Sequence, residues 1–424
     1  MTQIAVAEVL DRLADGPLPF GFSAYDGSSA GPPDAPFHVH LANERGLRFV
    51  ATSPGGLGLG RAYVAGDLQV DGVPGGDPYP LLRAAADGLR LRRPSPVEAA
   101  RWARGLGLGV LRPPEPPPEE HLSRLRRLTE GLRHSRQRDA EAISHHYDVS
   151  NAFYERVLGP SMTYTCACFP TPQATLEEAQ EHKYALVAGK LGLHPGMRLL
   201  DVGCGWGGMV RHAARAGVRA LGVTLSRQQA EWAQARIEAE GLADLAEVRY
   251  GDYRDVTDGG FDAVSSIGLT EHIGVANYRA YFTFLQGRLR DGGRLLNHSI
   301  TRPTNTARPR AGGFIDRYVF PDGELTGSGR IISTMQDVGL EVRHEENLRE
   351  HYAMTLREWG ANLTRHWDEC VADVGIGTAR VWGLYMAGSR LAFERNEIQL
   401  HQVLAVRPEP GGASGFPLRP DWTP

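Results

Sequence analysis

Lysine is nearly missing from this chain: among 424 residues only Lys183 and Lys190 carry an ammonium group, and arginine supplies the remaining positive charge. Against 50 carboxylates the formal net charge is −4, which excludes a general nucleic-acid binder. Cysteine is scarce too. The four present, Cys166, Cys168, Cys204 and Cys370, show no paired metal-ligand spacing, and the single residue between Cys166 and Cys168 is too short for a zinc knuckle. No apolar run approaches the length of a membrane span. The start, Met1-Thr2-Gln3-Ile4 with Glu8 and Asp11 soon after, lacks the basic opening of a signal peptide. A reducing cytoplasm is the expected compartment. Internal repeats are absent, and hydrophobic and charged fractions of 42% and 23% exclude disordered and fibrous classes.

What is present begins with Leu199-Leu200-Asp201-Val202-Gly203-Cys204-Gly205-Trp206-Gly207-Gly208. A hydrophobic strand runs into a glycine-rich turn, and a helical pattern over 209–214 follows. Glycines let a backbone approach a ligand, and a helix N-terminus offers free N–H groups, so this is how an α/β sheet builds a nucleotide-sized crevice. Strands over 198–202, 219–223, 246–250, 261–267 and 294–299 alternate with helical patterns over 227–240 and 278–289. That alternation predicts a parallel, doubly wound α/β sheet with its ligand at the carboxyl ends of the strands. The stretch 301–395 is too long for a connection and reads as a helical lid. Residues 398–406 alternate like a late strand returning to the sheet.

Four segments follow: a smaller N-terminal domain over 1–111, a stiff Pro-rich linker over 112–121, the catalytic candidate over 122–408 and a flexible tail over 409–424. In the first, 37–41 and 47–51 read as short β-rich runs and 80–91 as a helix. Between Arg83 and Arg138 there are thirteen arginines and six carboxylates, with Leu122, Leu125, Leu128 and Leu132 spaced along an amphipathic piece. It reads either as a solvated helix face or as a surface resting on anionic headgroups.

The second strand of the crevice ends Leu221-Gly222-Val223-Thr224-Leu225-Ser226, with no acid at its tip to hold a dinucleotide ribose. A dehydrogenase reading weakens there. An S-adenosylmethionine methyltransferase instead carries its acid near a later segment, and Asp252 after Gly251 fits, although spacing alone equally allows an ordinary turn residue.

The catalytic half resembles the cyclopropane fatty acid synthase family of S-adenosylmethionine-dependent lipid methyltransferases. The likeness is carried by His146-Tyr147-Asp148-Val149-Ser150-Asn151, Met162-Thr163-Tyr164-Thr165-Cys166-Ala167, the glycine-rich turn, 222–229, Asp252-Tyr253-Arg254-Asp255, Glu271-His272-Ile273-Gly274, Tyr318-Val319-Phe320-Pro321-Asp322-Gly323 and 399–403. These blocks stand in family order, and 58–71 resembles the family's N-terminal domain. The resemblance implies a class I methyltransferase sheet with cofactor contacts at Tyr164, Thr165, Gly203, Gly205, Gly207, Thr224, Gln229, Asp252 and Tyr253. Trp206 reads equally as a contact or as a core filler beneath the turn.

The implied reaction is methyl transfer to the cis double bond of an unsaturated phospholipid acyl chain. The resulting carbocation is deprotonated by a bound bicarbonate, held in a dry pocket by Cys166, Glu271, His298, Ile300 and Tyr352. Cys166 and Ile300 would offer backbone groups, Glu271 a proton shared under a raised pKa, His298 a hydrogen bond and Tyr352 its hydroxyl. Taken singly, Glu271 reads as a helix-starting acid and His298 as a satisfied strand-end histidine. His145 and His146 point in different directions and have no ligand-spaced partner, so no metal is expected.

Two positions depart from the family pattern: Thr270 stands where a Phe usually precedes the Glu-His pair, and Ser389 stands where a cysteine is common. Ring closure would give a cyclopropane, and a hydride shift before proton loss a 10-methylene branch, the tuberculostearic precursor that a separate reductase would saturate. Leu295-Leu296-Asn297-His298 and Leu384-Tyr385-Met386-Ala387 look closer to the actinobacterial methylene-forming branch. The resemblance also allows a homodimer and peripheral contact with membrane phospholipids at the inner face. The competing readings are a methyltransferase for a small soluble metabolite and a catalytically silent lipid-binding protein.

Overall fold

Leu199, Leu200 and Val202 are fully buried, as a strand covered on both faces requires, and their neighbours in chain order repeat the pattern. The computed structural model describes residues 4–120, 150–306 and 312–422. The Leu122–Leu132 piece, His145, His146 and residues 147–149 of the first motif lie outside the described residues.

The chain divides into two compact units: Met1–Ser123 with Gly312–Val319 and Trp359–Leu391, and Arg124–Ala311 with Phe320–Glu358 and Ala392–Pro424. The second unit holds a seven-stranded sheet of β1 (Arg198–Val202), β2 (Arg219–Thr224), β3 (Ala246–Tyr250), β4 (Phe261–Ile267), β5 (Leu289–Thr301), β6 (Glu341–Asn347) and β7 (Gln399–Val406). Its order is β6-β7-β5-β4-β1-β2-β3. Strands β1 to β5 pair in parallel, whereas β7 runs antiparallel to both β5 and β6. Successive residues of β1 face opposite layers. Leu199 joins Val187, Leu191 and Val210 on one side, and Leu200 and Val202 join Phe282, Leu285 and Leu340 on the other.

The helices of this unit include α1 (Leu176–Leu191), α2 (Gly208–Arg215), α3 (Arg227–Ala239), the single turn α4 (Thr270–Ile273) and α5 (Tyr278–Arg288). Thr175 and Glu178 form a capping box at the start of α1, and Gly192 ends it in the left-handed conformation. Ser226 caps α3 through the Gln229 N–H.

The first unit holds a four-stranded sheet in the order Ser29–Ala30, Gly21–Ala24, His38–Leu41, Leu68–Asp71, around a core of Phe20, Phe22, Val39, Leu41 and Leu81. Residues 47–51, whose composition suggests a β-rich run, lie instead in the helix Glu44–Thr52. Asn43 caps it by accepting from the Gly46 N–H, and Phe49, 1% exposed, anchors it. Packing overrides composition here. A methyl group on Gly58 would lie 2.3 Å from the Ser53 carbonyl oxygen, so this helix and Gly56–Val64 meet backbone to backbone.

The stretch 301–395 is helical for most of its length but not throughout. Its polar Glu-Val-Arg-His-Glu-Glu-Asn segment forms the edge strand β6, half exposed and therefore without the apolar run that marks an inner strand. Gly312–Val319 and Trp359–Leu391 group with the first unit. The reason is close packing: a Cβ on Gly60 would meet the Phe314 ring at 2.5 Å, and one on Gly76 the Trp367 ring at 2.4 Å. The Pro-rich stretch is anchored rather than loose at its end, because Glu120 pairs with Arg61 at 2.6 Å and with Arg317 at 3.2 Å.

Candidate active site

The turn after β1 requires its glycines. Gly203, Gly205 and Gly207 have φ of +77°, +54° and +72°, and a Cβ on Gly203 would sit 3.0 Å from Leu269, one on Gly207 3.1 Å from Ala233. A Cβ on Gly205 would enter open space, so its backbone borders the cleft directly. That cleft is partly open to solvent. Tyr164, Thr165, Gly203, Gly205, Gln229 and Trp206 are among its lining residues.

Trp206 therefore faces the cleft, and it is also fixed from behind. Its Nε1 donates to Asn151 Oδ1 at 3.2 Å, and its ring centroid lies 4.8 Å from that of Tyr154. Thr224, Asp252 and Tyr253 stand beside the lining rather than in it. The Thr224 hydroxyl donates to Gln229 Oε1 at 2.8 Å, while the Gly251 N–H donates to the Thr224 carbonyl and draws the Asp252 turn alongside. Both Asp252 oxygens accept from Arg254, at 2.7 and 2.5 Å, and the Tyr253 ring packs edge-on to Tyr281 and Phe284.

Two charged cleft residues were given no role by the sequence: Lys183 stands in no motif, and Asp201 stands within the strand that leads into the glycine-rich turn. Lys183, 1% exposed on α1, donates to Thr165 Oγ1 at 3.2 Å, and Asp201 accepts from Ser265 at 2.6 Å. Burial raises the Asp201 carboxyl to about 6. The scarcity of lysine was the one available hint, since both lysines of the chain are buried on a single helix. A polar turn with strained glycines, a glutamine at hydrogen-bonding reach and a buried ammonium suits S-adenosylmethionine, whose methionyl end is charged and whose ribose needs a two-way hydrogen-bonding partner. Gly203→Val places a branched side chain at φ +77° against Leu269 and should weaken S-adenosylhomocysteine binding by ~10-fold or more in a calorimetric titration.

A second polar cluster forms at the carboxyl ends of β4 and β5. Ile267 pairs with His298, and the Gly268 N–H donates to the His298 carbonyl at 2.8 Å. Glu271 follows on α4, and its Oε1 accepts from the Ile300 N–H at 2.7 Å. Ile300 pairs with Leu400, whose carbonyl accepts from the Leu348 N–H. The Leu348 carbonyl in turn accepts from the Tyr352 N–H at 3.2 Å and lies 3.8 Å from the Cys166 thiol. Strand pairing, backbone hydrogen bonds and the Glu271 side chain thus bring the segments that carry these five residues next to one another. Glu271, His298, Tyr352 and Cys166 are 9%, 1%, 6% and 0% exposed.

Among the described residues, Glu271 Oε2 and His298 Nε2 are buried atoms with no hydrogen-bond partner. Burial raises the Glu271 carboxyl to about 7. His298 is held well below its ordinary value by burial and by the charges of Lys183 and Lys190, so its ring is neutral. Burial also pushes the Cys166 thiol far up, which leaves it protonated. The Ile300 N–H is engaged by Glu271, so its present part is to hold one carboxyl oxygen. Thr270, fully buried, donates its hydroxyl to Asn297 Oδ1 at 2.5 Å, which explains how a polar residue is accommodated there. Ser389 lies on the helix Ile376–Glu394, in the part that groups with the first unit. Among the described residues no group of His, Cys, Asp and Glu could hold a metal.

The family model for mycolic acid cyclopropane synthetase matches residues 134–403. The chain is 61% identical over 423 residues, covering 100% of this chain and 99% of the relative, to the probable fatty acid methyltransferase Rv3720 of Mycobacterium tuberculosis. It is 35% identical over 289 residues (65% of this chain, 67% of the relative) to the tuberculostearic acid methyltransferase UfaA1 of the same organism. The crystal structure of the mycolic acid cyclopropane synthase CmaA1 complexed with SAH and CTAB covers 63% of this chain and 97% of its own, with a TM-score of 0.59 and 31% identity. Strand order, glycine turn and sequence agree, and the chain belongs to the mycolic acid cyclopropane synthetase family of S-adenosylmethionine-dependent methyltransferases.

Proposed function

We propose that the chain transfers the methyl group of S-adenosylmethionine to the cis double bond of an oleoyl-type chain in a membrane phospholipid. The product would be a 10-methylene-branched tuberculostearic precursor or a cyclopropane chain. One observation carries the reading: among the described residues Glu271 Oε2, on the turn α4 that follows β4, and His298 Nε2, on β5 beside the end of β4, are both buried and unpartnered. Buried polar atoms are costly unless a polar ligand completes them, and two here can serve one small anion. The relatives named for fatty acid and tuberculostearic acid methylation support a lipid acceptor.

An alkene has no proton to remove before it attacks the sulfonium, so a base is needed only after the chain carries a cation. A bicarbonate held between Glu271 and His298 would supply that base and could be replaced after each turnover. Glu271, near neutrality at about 7, can share a proton with it while the Ile300 N–H fixes the other carboxyl oxygen. Neutral His298 would hydrogen-bond the anion through Nε2, Tyr352 would turn its hydroxyl to it, and Cys166 would act through its backbone. Sealing these groups from water protects the cation from capture. A separate reductase would complete the methyl branch.

No helix among the described residues is long and apolar enough to cross a membrane. Peripheral contact with anionic lipid is supported by Leu108 and Leu111, 68% and 54% exposed, in the same stretch as exposed Arg101, Arg104 and Arg112. Expression in a host with oleate-rich lipids tests the whole reading. Proton NMR and mass spectrometry of its fatty acids should show a gain of one carbon, with vinylidene or cyclopropane protons. Unchanged acyl chains, with methylation of a water-soluble acceptor instead, would overturn it.

A further inference from the structure

His298 faces Gln402 across the β5–β7 pairing, and His298 Nδ1 lies 3.2 Å from Gln402 Nε2. On its other side Gln402 Oε1 accepts from Lys190 Nζ at 2.7 Å, and Lys190 is also ion-paired with Glu346. Lys190 and Gln402 are fully buried, at 0% exposure each. An ammonium can only donate, so the Gln402 carboxamide must turn its oxygen toward Lys190. Its NH₂ then has no choice but to face the ring, where it donates to Nδ1. A ring nitrogen that accepts carries no proton, which leaves the proton of a neutral imidazole on Nε2.

We propose that Gln402, oriented by Lys190, is a positioning residue that fixes His298 as the Nε2–H tautomer, so that the ring presents a donor to an anion in the pocket. The chemistry needs this sense. With the proton on Nδ1, a lone pair at Nε2 would face the oxygens of the anion and repel them. The proposal rests on the reading of the pocket as an anion site, but its structural half stands by itself.

The decisive measurement is nitrogen-15 NMR of the full-length protein with labelled histidine, with the His298 signals among 15 histidines identified by their loss in His298→Ala. Native enzyme without bicarbonate should show His298 as the Nε2–H form. In Gln402→Glu both carboxylate oxygens accept, one from Lys190 and one from the ring, so the signals should move to Nδ1–H or to the doubly protonated ring. Turnover on lipid should drop by ~100-fold or more, as for a catalytic imidazole in the wrong tautomer, with S-adenosylhomocysteine affinity within about threefold. Gln402→Met keeps the shape and releases the ring, so it should show both tautomers and a smaller loss.

Native protein showing Nδ1–H overturns the proposal without any variant. So does Gln402→Glu with an unchanged ring or unchanged turnover. Bicarbonate dependence of native turnover is read separately. An Nε2–H ring with turnover indifferent to bicarbonate leaves the relay standing and removes the anion, and the converse pair of results removes the relay alone.

Discussion

Glu271→Gln should lower methyl transfer by ~1,000-fold while S-adenosylhomocysteine binds as before, because the carboxyl lies outside the glycine-turn cleft and its part is to exchange a proton. Glutamine keeps the shape and can still accept from the Ile300 N–H. The same variant reports on folding. Burial lifts the carboxyl from 4.5 to about 7 in the folded chain. Between those values the unfolded chain has released its proton and the folded chain has kept it, so stability falls as pH rises through the window. The loss amounts to ~3 kcal/mol over the interval. Glutamine has no proton to lose. The stability of the variant relative to the native protein should therefore be level below pH 4.5, climb in the variant's favour up to pH 7 and level off above. Asp201, also raised by burial, is present in both proteins and cancels. Denaturant titrations across pH 4 to 8 check this, and a difference independent of pH would show that the carboxyl is not buried as described.

Glu120→Ala should cost ~3–5 kcal/mol in the unfolding of the first unit, the largest stability effect expected outside the hydrophobic core. The Glu120 side chain is 2% exposed and accepts from Arg61 Nε and Nη2 at 2.6 Å each, from Arg317 at 3.2 Å and from the Tyr318 hydroxyl at 3.2 Å. Its loss strands two guanidinium groups whose side chains are 14% and 19% exposed. Arg61 then keeps its bond to the Ser53 hydroxyl at 2.8 Å. The Pro-rich stretch would then lose its tie to the helices Gly56–Val64 and Gly313–Tyr318. Chemical denaturation followed by fluorescence should show an earlier transition, while cofactor titration on the second unit changes little. An unmoved midpoint would mean that water replaces the carboxylate at no cost.

Legibility followed burial. Strands β1 and β4 fall where the largely apolar runs 198–202 and 261–267 lie, since a strand covered on both faces must be apolar at most positions, whereas the edge strand β3 buries Ala246 and Val248 and turns Glu247 and Arg249 outward, a period-2 alternation that is also legible. Strand β6 escaped because an edge strand half in water is free to be polar. The helix Glu44–Thr52 escaped because Phe49 and Val50 favour β structure locally, and the Asn43 cap and packing against Gly58 decide otherwise. Motif residues such as Gly203, Gln229 and Glu271 were visible because each stands in a spaced block. The pairings of Lys190 and Gln402 were not, although Gln402 stands in the block 399–403, because partners more than a hundred residues away leave no local spacing to read; Lys183 stands in no block, and its partner Thr165 precedes it by 18 residues.

The sequence by itself determined the parallel core of the sheet and the glycine turn after β1, because periodicity and backbone sterics are local properties, whereas the residues expected to handle a proton followed only from the resemblance to a family. Only the tertiary structure decided that 312–319 and 359–391 pack with the N-terminal residues, and that β7 lies between β5 and β6. It also decided that Glu271 and His298 each keep one polar atom without a partner. Those outcomes depend on desolvation and on hydrogen bonds between distant segments, and a buried atom acquires its pKa and its need for a ligand only when the chain has closed around it.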